Sequence, residues 1–313
     1  MRVALPLLLA LAAVVPAGGT AAQAPDTLEL RPRWQVGQRQ VLAVVRTREH
    51  SREGQTARSS TRVEVTLVVR QAGRDGSVVE WSFAEPRVDD SDPARAEIAR
   101  EMAALTSGLR YVLEVDADGD IKRLRNWEQV RALSRAGVAR LLDRMRGSGT
   151  PEQVVKAVAA QVTGMFASEE QIRLHGLREA SLYHAAYGRR YRLGTPVDYA
   201  DVLPSPLGGP PIPSKGRFLL ARYEAGAAVI DWRQEVDPEA ARAAVFRTLS
   251  DMAVRMGRPG PREDELPDVS VQDSVQFRVD PASGWVRSVS SRRISRSGPA
   301  TRVDELTVTE TGR

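Results

Sequence analysis

The sequence predicts an α+β fold: a curved antiparallel sheet, or sheets, built from a duplicated strand-helix-hairpin unit, with central helices packed on one face. Three observations carry this expectation. Runs such as TRVEVTLVVRQ (61–71) put Val63, Val65, Leu67 and Val69 on one face and polar residues on the other, and turns join them as hairpins, the antiparallel pattern. A Val-Asp, a polar turn ending in Gly and then x-[Ile/Val]-[Lys/Arg]-x-[Leu/Val] occurs twice, as VDADGDIKRL (115–124) and VDPASGWVRSV (279–289). Helical periodicity is concentrated between those two copies.

The resemblance between the copies extends upstream. EWSF (80–83) and DWRQ (231–234) each set an acid before a tryptophan, and SDPARAEIAREMAAL (91–105) and VDPEAARAAVFRTLSDMA (236–253) each open a helix at Asp-Pro. Asp92 and Asp237 suit the cap position, because a carboxylate accepts from free backbone N–H groups, and Pro93 and Pro238 suit the first helical residue. Gly108 and Gly257 stand where a helix closes with a left-handed residue. The second copy is longer through GRPGPREDELPD (257–268), a loop by composition. The duplicated units are therefore expected over 62–124 and 217–289. Within them, Asp116 and Asp280 begin turns whose glycines supply the left-handed position, with no metal role. An EF-hand would need Gly and Glu where Ile121 and Trp127 stand.

The other elements follow in order. QVLAVVRTREH (40–50), SVVEWSF (77–83), RFLLARYEAGAAVIDWRQ (217–234), SVSSRRISRS (288–297) and TRVDELTVTE (301–310) read as strands. Asn126 with Gln129, Thr150 with Gln153 and Ser168 with Gln171 have capping-box spacing and start three central helices, the third running to about Gly188. Val155, Val158 and Val162 give the second an apolar stripe, expected to be core. LPSPLGGPPIPSKG (203–216) holds too much proline for helix or interior strand and reads as an extended connection.

The first residues stand apart. Arg2, an apolar run from Val3 to Val15 and then small residues form the three regions of a secretory signal, shorter than a membrane span. The expected organisation is a signal over 1–22, a first half over 23–148, and central helices with the second half over 149–313, packed together as one unit. A periplasmic or secreted location follows. The chain has no cysteine, which excludes disulfides, thiolate metal sites, a cysteine nucleophile and a lipid-carrying cysteine. Of 45 basic residues 42 are arginine, and the net charge is +5. Acids and bases alternate along most of the chain, so the basic, aromatic-interleaved stripe of a nucleic-acid binder is missing.

No nucleophile elbow, HExxH, P-loop or dinucleotide fingerprint occurs. His175 and His184 fall nine residues apart on one expected helix and point to different faces, so they make no local metal pair. The most site-like stretch is SLYHAAYGRRYRLGTPVDY (181–199). Its ligand-binding candidates are Tyr183, His184, Tyr187, Arg189, Arg190, Tyr191 and Arg192: rings for an apolar body, guanidinium groups for an anionic head. The alternative for the same residues is a helix end docked on the sheet through amphipathic side chains. No residue qualifies as catalytic, and no cofactor or metal is implied.

WQVGQRQVLAVV (34–45), followed by long alternating strands and a strand pair around a D-x-x-G turn, resembles uncharacterised exported bacterial β-rich proteins with a Trp-x-Val-Gly opening. At fold level it is similar to half-barrel carriers of the lipoprotein-transport type, in which a curved sheet wraps helices and an apolar cavity. That resemblance implies a non-catalytic periplasmic protein binding an amphiphilic or anionic ligand or an envelope partner. The alternatives are a hydrolase with a dispersed Asp/Glu/Ser/Tyr site and a scaffold without small ligand. Cleavage is expected after Ala22, within about two residues because small residues flank the site. Sequencing of the exported protein should therefore begin near Gln23, and a product retaining Met1 would contradict it.

Overall fold

The computed structural model describes residues 26–91, 96–97, 100, 107–203, 212–255, 259–262 and 268–312. The expected signal and its cut after Ala22, the Asp92–Pro93 helix start, Gly257 and most of the proline-rich connection lie outside these residues.

A short strand β1 (Thr27–Leu30) leads to the long pair β2 (Arg39–Arg52) and β3 (Gln55–Gly73), then β4 (Gly76–Phe83), β5 (Arg87–Asp90), β6 (Arg110–Asp116) and β7 (Ile121–Leu124). Helices α1 (Trp127–Gly147), α2 (Glu152–Met165), α3 (Glu169–Gly176) and α4 (Arg178–His184) follow. After them come β8 (Arg189–Arg192), β9 (Pro196–Leu203), β10 (Ile212–Glu224), β11 (Ala227–Val236), helix α5 (Pro238–Arg255), β12 (Val269–Val279), β13 (Val286–Ser297) and β14 (Ala300–Gly312).

Both halves of the chain contribute to one antiparallel sheet, ordered β7-β6-β4-β3-β2-β14-β13-β12-β11-β10-β9, with β5 on the far part of β3. The sheet is curved but not closed, and β1 and β8 form a separate ribbon. Alternation along the strands sends Leu42, Val44, Val65, Leu67, Trp81, Leu113, Phe277 and Val289 to one inner face, where they form the main core with α4 and β8. A smaller cluster on that face, Ile212 and Val236 against Ala241 and Ala244, seats α5.

The two Asp-to-Gly turns are built alike. Asp116 Oδ1 accepts from the N–H groups of Asp118 (3.0 Å) and Asp120 (2.9 Å), and its carbonyl accepts from Gly119 (3.1 Å). Asp280 Oδ1 accepts from Ala282 (3.0 Å) and Ser283 (3.4 Å), and its carbonyl from Gly284 (2.8 Å). The basic residue three positions past each glycine returns to the aspartate: Lys122 at 2.7 Å and Arg287 at 3.0 Å. Burial disfavours both charged carboxylates, yet these cations and the turn N–H groups together hold them below the usual carboxylate range. Both glycines have positive φ, +98° and +75°.

These turns belong to hairpins far apart in the sheet order, and they meet. Tyr187 packs its Cβ against Gly119 so closely that any Cβ there would collide with it, while its hydroxyl donates to the Gly284 carbonyl at 2.5 Å. The segment before β2 spans the same two turns. Arg31 pairs with Asp118 at 3.0 Å, and the Arg33 N–H donates to the Ser283 carbonyl at 3.0 Å. Trp34 of the Trp-x-Val-Gly opening stacks on Trp285, centroids 5.0 Å apart. In a flat sheet, at ~4.8 Å per strand, the two turns would lie close to 30 Å apart.

Several local expectations change in the structure. The third central helix is two: Gly176 abuts the Tyr111 hydroxyl, and Leu177, at φ −101° and ψ 22°, breaks the helix so that α4 turns into the core. Asn126 does not cap α1, because its side chain pairs with β6, accepting from Val112 N (2.9 Å) and donating to Arg110 O (2.8 Å). Thr150 does not cap α2 either, since Pro151 takes that position without a side-chain bond. Ser168 does cap α3, accepting from Gln171 N at 3.2 Å, and Asp237 accepts from Ala240 N (2.9 Å) where Pro238 opens α5. The sequence pattern did not disclose β8 or β9, which are short or polar and pair at margins of the fold. Residues 212–216, expected as extended connection, instead open the interior strand β10, whose Pro213 lies ahead of the pairing with β11 that begins at Ser214.

The Gly119 contact gives a direct stability test. Gly119→Ala should cost at least ~2 kcal/mol, combining a strained positive φ with overpacking against Tyr187. Gly54→Ala, at φ +82° in an open turn with nothing within 4 Å, should cost only about 1 kcal/mol. Equal shifts in urea midpoint for the two variants would contradict the packing described.

Candidate functional site

The break at Leu177 aims α4 inward, and the residues singled out in the sequence come together there. Tyr183, His184, Tyr187 and Tyr191 are all buried, none more than 4% exposed. The three hydroxyls and His184 Nδ1 are bonded inside the protein, as buried groups require, while His184 Nε2 is buried with no hydrogen-bond partner among the described residues. Tyr183 donates to Gln40 Oε1 (2.8 Å) and accepts from Val286 N (3.3 Å), Tyr191 donates to Ala186 O (2.6 Å), and His184 Nδ1 lies 2.7 Å from Gly119 O. The carbonyl fixes the histidine tautomer, so Nδ1 carries the proton. Arg189 donates to Ala185 O (2.7 Å) and Tyr187 O (3.1 Å) and lies over Phe218, 4.1 Å from the ring centroid. Arg190 and Arg192 are exposed on β8, opposite Glu29 and Thr27 of β1. The rings of the stretch are thus enclosed in the core, while Arg190 and Arg192 remain exposed.

A hollow of about 490 Å³ lies beside His184, lined by Asp120, Ile121, Lys122, Arg173, Ser181 and Ala185. Its cations are already engaged. Lys122 holds Asp116, and Arg173 donates to the carbonyls of Lys122 and Ile121, each at 3.0 Å.

The inner face carries a second feature, between the main core and the α5 cluster. Strand registers put Gln234, Asp273, Arg293, Asp304 and Arg48 directly opposite one another on β11, β12, β13, β14 and β2. Arg293 forks both oxygens of Asp273 (2.7 and 2.8 Å), and Arg302 forks both of Asp304 (2.7 and 2.9 Å), where Arg48 adds a bond at 3.0 Å. Burial opposes the charge of Asp304, but Arg302 and Arg48 outweigh it and keep its carboxyl below the ordinary range. Gln234 donates to Ser214 Oγ at 2.9 Å, and Trp232, two residues back on the same face, donates to the Tyr199 hydroxyl at 2.6 Å.

Helix α4 lowers two charged residues toward this row. Glu179, 2% exposed, is held by Arg46 at 2.5 Å. Arg178 is half-buried, and among the described residues its guanidinium makes no hydrogen bond or ion pair. Burial first, and then the like charge of Arg293, lower its pKa, while Asp304, Glu179 and Asp273 work the other way. The cluster sets Arg46, Arg48, Arg178, Arg293 and Arg302 against Glu179, Asp273 and Asp304, a surplus of two positive charges.

Sequence reasoning passed over this row. Each member stands at the end of an alternating apolar run and in phase with it, as Arg46 and Arg48 follow Leu42 and Val44, and Asp304 precedes Leu306 and Val308. That phase was the available signal, but only the register brings the charges side by side. Among the described residues, no three His, Asp or Glu side chains are placed to share a metal ion, and no helix is long and apolar enough to cross a membrane.

No protein-family model matches the chain, and no curated protein matches it. Among solved structures it is similar to lipovitellin, in a structure concerned with lipid–protein interactions, at 8% identity and a TM-score of 0.40, over 89% of this chain and 25% of that one. The chain thus spans about a quarter of the lipovitellin chain that it matches. It is also similar to DynF from the dynemicin biosynthesis pathway of Micromonospora chersina, at 6% identity and a TM-score of 0.21, over 92% of this chain and 86% of that one.

The buried His184 makes stability depend on pH. Burial lowers its pKa from 6.5 to about 4, so between those values the unfolded chain binds more protons. Its contribution is complete above the unfolded value and is lost as pH falls toward the folded one. From neutral pH to about pH 5 the protein should lose ~2 kcal/mol through this residue. A His184→Gln variant, weaker overall, should lack that part of the slope in urea titrations. An unchanged slope would mean that the imidazole is not buried neutral.

Proposed function

We propose that this chain is an exported, non-catalytic binding protein that takes up an amphiphilic anion on the inner face of its curved sheet. The observation that carries the reading is the charged row with its surplus of arginine, set between two apolar clusters on one face. Charges ordered in a partly desolvated place favour a complementary head group, because charge-assisted hydrogen bonds gain strength where water is scarce. The α5 cluster on one side and Trp232 with Tyr199 on the other offer apolar and aromatic surface for a chain attached to that head. This moves the ligand-facing groups from the Tyr183–Arg192 stretch to the neighbouring row and gives the stretch a closing role.

The expected signal supports a periplasmic or secreted location, and the Trp-x-Val-Gly opening supports a place among the exported bacterial β-rich proteins that it resembles. Duplication belongs to the same reading. Its support is that β7-β6-β4-β3-β2 and β13-β12-β11-β10-β9 repeat one neighbour order, and that Trp81 and Trp232 point inward from β4 and β11. Both Asp-to-Gly turns also have an aspartate accepting from the N–H two residues on and a cation returning to it three residues past the glycine.

The test is a titration of the delipidated full chain with dodecanoate and with dodecyl phosphate, following tryptophan fluorescence. Saturable binding of at least one, with Trp232 as the responding indole, is the expected result. No saturable binding of either would overturn the proposal.

A further inference from the structure

We infer that Arg178 is the residue that receives the anionic head, as a carboxylate or phosphate monoester seated between α4 and the charged row. This rests on the amphiphile reading above and assigns its binding residue.

The inference comes from the pairing within the cluster. Arg46 has Glu179, Arg293 has both oxygens of Asp273, and Arg302 and Arg48 share Asp304. Arg178 alone in this cluster has no carboxylate, although it is half-buried and close enough to Arg293 for repulsion. An exposed arginine needs no partner, because water supplies one. A half-buried guanidinium has five donors in a rigid fork and little water to satisfy them. The acids around it are taken up by other arginines: both oxygens of Asp273 and of Asp304 accept from Arg293, Arg302 and Arg48, and Glu179 pairs with Arg46. A group brought from outside can take the fork.

Its position is also fixed in advance. The neighbouring Glu179 is anchored to Arg46 on β2, and the break at Leu177 sets where α4 begins. The backbone that carries Arg178 is therefore held whether or not a ligand is present, which lowers the entropy lost on binding. The class of head group follows from geometry and charge. A planar fork favours two oxygens on one atom, and the surplus of two positive charges suits a head bearing one or two negative ones.

The experiment compares dodecanoate and dodecyl phosphate with dodecanol, which has the same tail and no charge, on the delipidated full chain. Wild-type protein should bind at least one anion about tenfold or more tightly than the alcohol. Arg178→Gln should lose that preference and keep its affinity for dodecanol. Arg233→Gln, an equal charge change at an exposed position of β11, should alter anion affinity by less than about twofold. If Arg178→Gln fails to melt cooperatively, Arg178→Lys carries the comparison: it keeps the charge, loses the fork, and should weaken anion binding at least about threefold. The assignment is overturned by wild-type protein binding dodecanol as tightly as the anions. An anion preference surviving at position 178, or an equal loss in Arg233→Gln, overturns it too, and each of these results leaves amphiphile binding intact. Wild-type protein that binds none of the three probes would remove the amphiphile reading itself.

Discussion

Tyr187 sits between two hairpin turns that the sheet order places at widely separated strands, and it touches both. One side chain can do that only if the sheet between them bends. The contact has two parts of different character. At Gly119 it is steric, a close approach that no residue with a Cβ permits. At Gly284 it is a hydrogen bond from a buried phenol to a backbone carbonyl, a bond that would leave a desolvated acceptor if it were missing. The surrounding groups repeat the arrangement. His184 bonds the first turn, Arg33 bonds the second, and Trp34 stacks on the tryptophan that follows the second glycine.

From the bend follows an inner face with two unlike ends. Near the turns it is filled by α4, the β1–β8 ribbon and rings packed edge to face, and the polar atoms there are mostly paired within the protein, as Gln40, Tyr183 and Val286 are. Farther along the same strands the side chains become charged. The row from Gln234 to Arg48 crosses five strands before the face turns apolar again under α5. Burying these carboxylates without arginine would be unfavourable, and their two-pronged pairs answer most of that cost. The part left over is the positive surplus around Arg178, and the functional reading grows from it.

The sequence disclosed what is local. Alternation located the long strands, Asp237 and Pro238 marked the start of α5, Ser168 marked that of α3, and the Asp-to-Gly phrases were correctly taken as turns. The lysine or arginine in those phrases had a role that the repeat itself hinted at, since it recurs where it can return to the aspartate. Non-local competition defeated the other caps: Asn126 has the right spacing, but the free backbone of β6 claims its side chain. The Tyr/His/Arg stretch was legible as unusual, though its burial depends on a curvature that no short segment encodes. The charged row was least legible, because its members lie far apart in the chain and become neighbours only through the registers of five strands.

The central claim is that the two turns are held together across the mouth of a bent sheet, and the absence of cysteine makes it directly measurable. Spin labels placed by Ala117→Cys and Ala282→Cys report the distance between the turns in solution. The account predicts one narrow distribution well below the ~30 Å of a flat sheet, broadening and lengthening when Tyr187→Ala is added. A distribution centred near the flat-sheet value, or one unchanged by the loss of Tyr187, would contradict it.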